Sequence, residues 1–115
     1  CTSSLRRAIR TACLLLSTTN QCWVPMVKDV RLNEQHSGRL TGLNKRELAE
    51  EYGVDQVMKW RRTFDTPPPP ADPGSNPFQM AICADERYRD VIESVPSTES
   101  LKATTERVEA LWDDT

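Results

Sequence analysis

The sequence predicts an α/β fold that is mostly helices and loops, with one core strand. Two observations lead to this class. Apolar residues recur at helical spacing between positions 5 and 16, and β-type apolar residues gather between positions 23 and 32. Further helical patterns begin near positions 45, 54 and 101. Because the chain has 115 residues, we expect one domain at most.

The first helix is predicted from an amphipathic pattern that starts at Leu5. Thr2, Ser3 and Ser4 precede it, and all three are favoured N-cap residues. The apolar positions follow the spacing i, i+3, i+4, i+7, i+8 and i+11, namely Leu5, Ala8, Ile9, Ala12, Cys13 and Leu16. Cys13 is therefore predicted to be a small core residue rather than a disulfide partner.

A strand is predicted over residues 23–32, where Pro25 restricts its start to an edge or entry position. The strand leads into a loop that carries Glu34 and the only histidine, His36. A carboxylate and an imidazole on flexible backbone at the end of a strand are typical of catalytic sites in α/β folds.

Two short helices are predicted next. The first runs from Lys45 to Tyr52, with Asn44 and Glu47 as a capping box and Gly53 as the residue that ends it. The second begins at position 54 or 55 and continues to about position 64.

Arginines cluster on two of these helices. Arg6 and Arg7 would lie in the first turn of the first helix, where the helix dipole disfavours cations unless an anion shares the site. Arg61 and Arg62 would lie near the C-terminal end of their helix, where the dipole favours cations. A solvated outer face is the simpler interpretation of Arg6 and Arg7, and the favourable dipole is the simpler interpretation of Arg61 and Arg62.

Residues 65–77 contain six prolines, which predict an ordered or semi-rigid loop; a linker between two domains is the alternative. Residues 78–95 are predicted to be irregular, with a single helical turn at 85–88. A last helix follows, capped by Ser97 or Thr98.

Composition narrows the function classes. Charged residues make up 28% of the chain and nearly balance at a net charge of −2, which argues against a dedicated nucleic-acid binder. No apolar run is long enough to span a membrane. The four cysteines form no Cys-x-x-Cys pair, so we expect no zinc site and a reducing, cytoplasmic location.

Several blocks together resemble the cofactor-dependent phosphoglycerate mutase family of the histidine phosphatase superfamily. They are Arg7-Ala-Ile-Arg-Thr11, Leu32-Asn-Glu-Gln-His-Ser-Gly38, Leu40-Thr-Gly-Leu-Asn-Lys45, Trp60-Arg-Arg62, Pro67 to Pro70, Arg87-Tyr88 and Glu99-Ser-Leu101. The resemblance covers the whole chain. It implies the three-layer fold of that family, with residues 1–115 as the central part of a single domain truncated at both ends.

The resemblance also implies an activity. The family consists of isomerases that interconvert 3-phosphoglycerate and 2-phosphoglycerate through a phosphohistidine, primed by 2,3-bisphosphoglycerate and without a metal. Its partners are small phosphorylated sugar acids, with neither nucleic acid nor membrane, and full-length members are often homo-oligomers.

The family's motifs assign roles residue by residue. Glu34 matches the proton donor and acceptor, and Arg7 matches an arginine that contacts the substrate and the reacting phosphoryl group. The other matched substrate-binding positions are Gln35, His36, Ser37, Lys45, Arg61 and Arg62. Once folded, Glu34 and the cations at 7, 45, 61 and 62 are expected to converge on one pocket. A phosphoryl group in transfer is stabilised by surrounding cations, and arginine suits it because its planar fork makes two parallel hydrogen bonds.

Two features separate this chain from the usual pattern. The family reads Glu-Arg-His-Tyr-Gly where this chain has Gln35 and Ser37, so one cation and one aromatic hydroxyl are missing. The family's phosphorylated histidine lies in an Arg-His-Gly motif and a second catalytic histidine in a His-Gly motif, and the 115 residues contain neither. The chain alone is therefore expected to be inactive.

Three alternatives stay open. The first is a bisphosphoglycerate synthase or phosphatase of the same family. The second is a non-catalytic anion-binding or interaction paralogue. The third is a soluble α/β piece whose charges only solvate it.

Overall fold

Five α-helices and four short 3-10 helices form the secondary structure of the residues that the computed structural model describes, 1–72 and 74–115. The α-helices are α1 (Arg6–Thr18), α2 (Lys45–Tyr52), α3 (Val54–Arg62), α4 (Pro77–Ala84) and α5 (Leu101–Asp114). The 3-10 helices are Val30–Leu32, Gly38–Leu40, Glu86–Tyr88 and Ile92–Ser94. The chain divides into two compact units, Cys1–Glu34 and Gln35–Thr115.

The first unit contains α1, which begins one residue later than the apolar pattern. Its N-cap residue is Leu5, which offers no side-chain hydrogen bond, so the predicted cap by Thr2, Ser3 or Ser4 is wrong. Ser4 instead donates its backbone N–H to Asn33 Oδ1 at 2.9 Å, and both residues are buried. The early polar residues are therefore used in tertiary contacts.

The prediction that Cys13 is a core residue is also wrong. No residue of α1 is buried, and the Cys13 thiol is exposed. The apolar stripe is covered only in part, and Leu14 and Leu15 of the same helix are more than half exposed.

The predicted core strand over residues 23–32 is absent, and the residues that the structure describes form no extended strand. A single parallel bridge joins Thr2 to Lys28, in which Thr2 N donates to Val27 O at 2.8 Å and Asp29 N donates to Thr2 O at 3.0 Å. Asp29 then accepts the backbone N–H of Arg31 at 2.8 Å and starts a 3-10 turn. The β-type side chains favour extended backbone, but one bridging residue is too little to build a ladder.

The second unit has a small core where α2 packs on α3. Leu40, Leu48 and Val57 are buried there, and the rings of Tyr52 and Trp60 meet edge to face with centroids 5.0 Å apart. This apolar cluster fixes the two helices against each other.

The predicted bounds of α2 and its capping box are confirmed. Asn44 Oδ1 accepts the Glu47 N–H at 2.9 Å, and Glu47 Oε2 accepts the Asn44 N–H at 3.0 Å. Gly53 follows at φ 85°, so that α3 begins at once as predicted, although α3 ends at Arg62, two residues early.

The proline-rich segment is anchored along its length. Pro68 O accepts the Thr98 hydroxyl at 2.8 Å, and Pro69 O accepts the Arg39 backbone N–H at 2.9 Å. Residues 65–72 form no helix or strand, as the prolines predict. Pro73, which belongs to the predicted loop, lies outside the described residues.

Helix α4 was not expected, because residues 78–95 were predicted to be irregular. Asn76 caps it by accepting the N–H groups of Phe78 and Gln79, and Pro77 occupies its first turn. The predicted turn at 85–88 is confirmed as the 3-10 helix Glu86–Tyr88. Helix α5 is capped by Ser100 rather than by Ser97 or Thr98, because the latter two face the proline-rich segment.

Candidate functional site

Arg7 and Glu34 meet at the edge of the first unit. Arg7 donates a hydrogen bond from Nη2 to Glu34 Oε2 across 27 positions of sequence. The bond between Ser4 N and Asn33 Oδ1 holds the start of α1 beside residue 33, which brings the first turn of the helix, with Arg7, to Glu34. The Arg7 side chain is 70% exposed and the Glu34 side chain is 72% exposed, so a ligand can reach this pair.

Three further cations predicted for the site lie in the second unit. Lys45 is the first residue of α2, and Arg61 and Arg62 are the last two residues of α3. All three side chains are exposed. Among residues 1–72 and 74–115, none of them forms a salt bridge.

The segment Gln35 to Ser37 is bound to the start of α5. Gln35 Nε2 donates to Glu99 O at 2.9 Å, and Glu99 N donates to His36 O at 3.0 Å. The carboxylate of Glu99 accepts the His36 backbone N–H at 2.9 Å, and its Oε1 lies 2.8 Å from His36 Nδ1. Ser37 precedes the 3-10 helix Gly38–Leu40 and is half-buried.

Glu99 and Arg107 are the partners that sequence reasoning missed at this segment. Arg107 donates from Nε to Glu99 Oε2 at 2.9 Å and from Nη2 to Oε1 at 2.5 Å. Glu99 belongs to one of the sequence blocks that resemble the family, but no role was assigned to it. It lies 63 residues from His36, so no local sequence pattern links these two residues. The 8-residue spacing of Glu99 and Arg107 across the start of a helix was the one signal available.

The Glu99 carboxylate is ionised at neutral pH. Burial alone would raise its pKa, but the hydrogen bonds from Arg107 and His36 outweigh burial and hold the pKa at about 2. A buried anion is stable here because His36 and Arg107 donate hydrogen bonds to it.

The described residues contain neither a metal-binding group of side chains nor a helix that could span a membrane. Among residues 1–72 and 74–115, no group of three or more His, Cys, Asp or Glu side chains is arranged to hold a metal ion. Over the same residues, no helix has both the length and the apolar character needed to cross a membrane.

Known proteins match the chain along its whole length. Residues 1–115 match the family model described as histidine phosphatase superfamily (branch 1). A relative from Zymomonas mobilis subsp. mobilis is 49% identical over 113 residues, which are 98% of this chain and 47% of the relative. Relatives from Rhodococcus jostii and Rhodococcus opacus are 47% and 46% identical over 114 residues, which are 99% of this chain and 44% of each relative.

All three relatives are named 2,3-bisphosphoglycerate-dependent phosphoglycerate mutase. The chain spans somewhat less than half of their length. The resemblance carried by the sequence motifs is thus confirmed by matches that cover nearly every residue. The chain belongs to the histidine phosphatase superfamily, branch 1.

Proposed function

We propose that residues 1–115 supply the acid/base group and the anion-binding side chains of a 2,3-bisphosphoglycerate-dependent phosphoglycerate mutase. Such an isomerase interconverts 3-phosphoglycerate and 2-phosphoglycerate through a phosphohistidine. The three mutases that are 46–49% identical over almost all of this chain support the assignment. The observation that carries it is the exposed pair of Arg7 and Glu34.

The pair has the chemistry that phosphoryl transfer between two hydroxyl oxygens requires. Glu34 would take the proton from the attacking hydroxyl and return one to the leaving oxygen. Arg7 would hold the transferred group with two parallel hydrogen bonds and so stabilise the charge on its oxygens. Because an exposed ion pair contributes little to stability, a ligand can replace Arg7–Glu34 contacts at small cost.

The exposed cations of the second unit would serve to bind anions. A phosphoglycerate carries a phosphate and a carboxylate, so a binding site needs several positive groups. Arg61 and Arg62 offer planar forks for bidentate binding, and Lys45 offers a compact charge at the N-terminus of α2, where an anion is favoured. We propose that these three side chains bind the two anionic ends.

The phosphoryl-accepting histidine is proposed to lie outside these 115 residues. The chain contains one histidine, and His36 Nδ1 contacts a buried carboxylate. The family's phosphorylated histidine lies in an Arg-His-Gly motif, whereas His36 lies between Gln35 and Ser37. His36 is better suited to contact a ligand than to carry a covalent phosphate.

One alternative has a specific observation in its favour. Gln35 stands where the family has an arginine, and its amide is used to bind Glu99 O. The loss of a cation favours weaker phosphate binding, as in a non-catalytic anion-binding paralogue. Turnover distinguishes this alternative from the enzyme.

The test is conversion of 3-phosphoglycerate by a full-length subunit that carries residues 1–115. We expect turnover that depends on 2,3-bisphosphoglycerate, and incorporation of labelled phosphate into a histidine other than His36. A subunit that binds phosphoglycerate without turnover would support the paralogue instead. Label on His36 would overturn the assignment of the nucleophile.

A further inference from the structure

Three side chains form a buried charged cluster in the second unit. Glu99 is at its centre with a side chain 3% exposed, and His36 and Arg107 flank it at 14% and 16%. The Glu99 carboxylate accepts four hydrogen bonds from these two residues. Oε1 is approached by His36 N at 2.9 Å, His36 Nδ1 at 2.8 Å and Arg107 Nη2 at 2.5 Å, and Oε2 by Arg107 Nε at 2.9 Å.

The chemistry of the donors determines the tautomer of His36. An ionised carboxylate only accepts hydrogen bonds, and Arg107 only donates them. Since the Glu99 carboxylate is ionised at neutral pH, the proton in its contact with the ring must belong to His36 Nδ1. The other ring nitrogen, Nε2, is then the one that carries the lone pair whenever the ring is neutral.

The backbone around the cluster is fixed as well. Glu99 N donates to His36 O at 3.0 Å, and Gln35 Nε2 donates to Glu99 O at 2.9 Å. One residue before Glu99, the hydroxyl of Thr98 binds Pro68 O at 2.8 Å. The loop at 35–37 is thus tied to the start of α5, which is in turn tied to the proline-rich segment.

We propose that Glu99 is a positioning residue that fixes the 35–37 loop and holds His36 with Nδ1 protonated, so that Nε2 is the ring nitrogen that contacts the ligand. The ligand is a phosphorylated sugar acid. Its hydroxyl group donates a hydrogen bond, which the lone pair of Nε2 accepts. This inference rests on the proposed function for its ligand, but the tautomer of His36 does not depend on that function. Arg107 completes the arrangement by neutralising the buried carboxylate.

The direct test is ¹⁵N NMR of the imidazole in the full-length subunit that carries residues 1–115. A His36→Gln variant identifies the signals of the His36 ring. When the ring is neutral, we expect a protonated Nδ1 and a lone pair on Nε2. The reverse tautomer, or the averaged signals of a free imidazole, would overturn the positioning role and leave the proposed function standing.

Addition of 3-phosphoglycerate to the full-length subunit tests the ligand contact. With ring ¹⁵N labels, we expect the His36 Nε2 signal to shift while the Nδ1 signal stays in place, and a His36→Gln variant identifies the signals. A correct tautomer whose Nε2 does not respond to saturating ligand would overturn the contact between His36 and the ligand.

Variants of Glu99 distinguish a role in positioning His36 from a contribution to folding stability alone. In the full-length subunit, Glu99→Leu removes the acceptor, and we expect kcat/KM to fall on the order of 10²-fold because the loop shifts. Glu99→Gln retains an amide oxygen that can face Nδ1, so it should keep the tautomer and recover a large part of the loss. Glu106→Gln changes an exposed carboxylate of α5 and serves as the control. Equal losses for Glu99→Leu and Glu99→Gln would contradict the proposal, as would no loss for either.

Discussion

Arg7 Nη2 donates directly to Glu34 Oε2, although the two residues are 27 positions apart and both side chains are mostly exposed. The helix dipole makes the first turn of α1 an unfavourable place for an arginine unless an anion is near. Glu34 supplies that anion in the folded chain. The arrangement joins the proposed proton-transfer group to the proposed phosphate-binding group without burying either.

Replacement of Arg7 by lysine tests the need for a planar fork. Arg7→Lys keeps the charge but cannot make two parallel hydrogen bonds to a phosphoryl group. We expect kcat/KM of the full-length subunit to fall roughly ten- to hundredfold, the worth of one hydrogen bond to a charged group. Arg10→Lys on the same helix is the control, and an equal effect of both substitutions would rule out a specific role for Arg7.

The ion cluster around Glu99 should make stability depend on pH. The ordinary pKa of 4.5 falls to about 2 in the folded chain, which corresponds to roughly 3 kcal/mol of stability. Since the folded pKa is the lower one, this stability is present above pH 4.5 and is lost as the pH falls toward 2.

Urea unfolding of the wild-type chain and of Glu99→Gln measures this contribution. The glutamine cannot ionise, so the difference in unfolding free energy between the two proteins should shrink as the pH falls from 5 to 2. A difference that stays constant over that interval would show that the charge of Glu99 is irrelevant to stability.

The capping box of α2 gives a local stability test. Asn44→Ala removes the acceptor of the Glu47 N–H, and we expect a loss of about 1 kcal/mol in the unfolding free energy. Asn44→Ser keeps an oxygen at the cap and should lose little. Equal losses would mean that the asparagine acts through some other contact.

Alanine substitutions at two glycines with positive φ distinguish the effect of backbone strain from the effect of close packing. Gly38 at φ 55° and Gly53 at φ 85° would each resist alanine by about 1–2 kcal/mol. At Gly38 the added Cβ would also collide with Pro69 O and lie 2.8 Å from Thr98 Oγ1, whereas at Gly53 nothing lies within 4 Å. Gly38→Ala should therefore destabilise the chain distinctly more than Gly53→Ala, as measured by thermal unfolding, and a smaller effect at Gly38 would contradict the close approach.

Local signals in the sequence were sufficient for α2 but not for the strand. The cap of α2 needs only Asn44 and Glu47, three residues apart, so its bounds could be predicted. A strand depends on its neighbours, and among residues 1–72 and 74–115 the segment 23–32 finds only Thr2 as a bridging partner. β-propensity therefore gave the wrong element there, because propensity carries no information about pairing.

Helix α4 shows a signal that was present but not used. Asn76 followed by Pro77 is a helix start, yet the prolines before it suggested a continuous loop. The helix also has no polar face opposite its apolar residues, so no amphipathic pattern indicated it. The contact between His36 and Glu99 had no such signal, since it joins residues 63 positions apart.

The predicted site residues are divided between the two units. Arg7 and Glu34 were predicted to act together, and they touch in the first unit. The assignments of Lys45, Arg61 and Arg62 stay predictions that rest on family motifs and on their exposed places at helix ends.

The most direct test of the account is the turnover number of Glu34→Gln in the full-length subunit, measured with saturating 3-phosphoglycerate and 2,3-bisphosphoglycerate. Glutamine keeps the size of the side chain but cannot carry a proton between oxygens, so we expect kcat to fall about 10²- to 10⁴-fold while the thermal unfolding temperature stays within error. Glu93→Gln, which changes an exposed carboxylate of the second unit, should leave kcat unchanged. A Glu34→Gln subunit with wild-type kcat would contradict the central claim that Glu34 is the acid and base of the reaction.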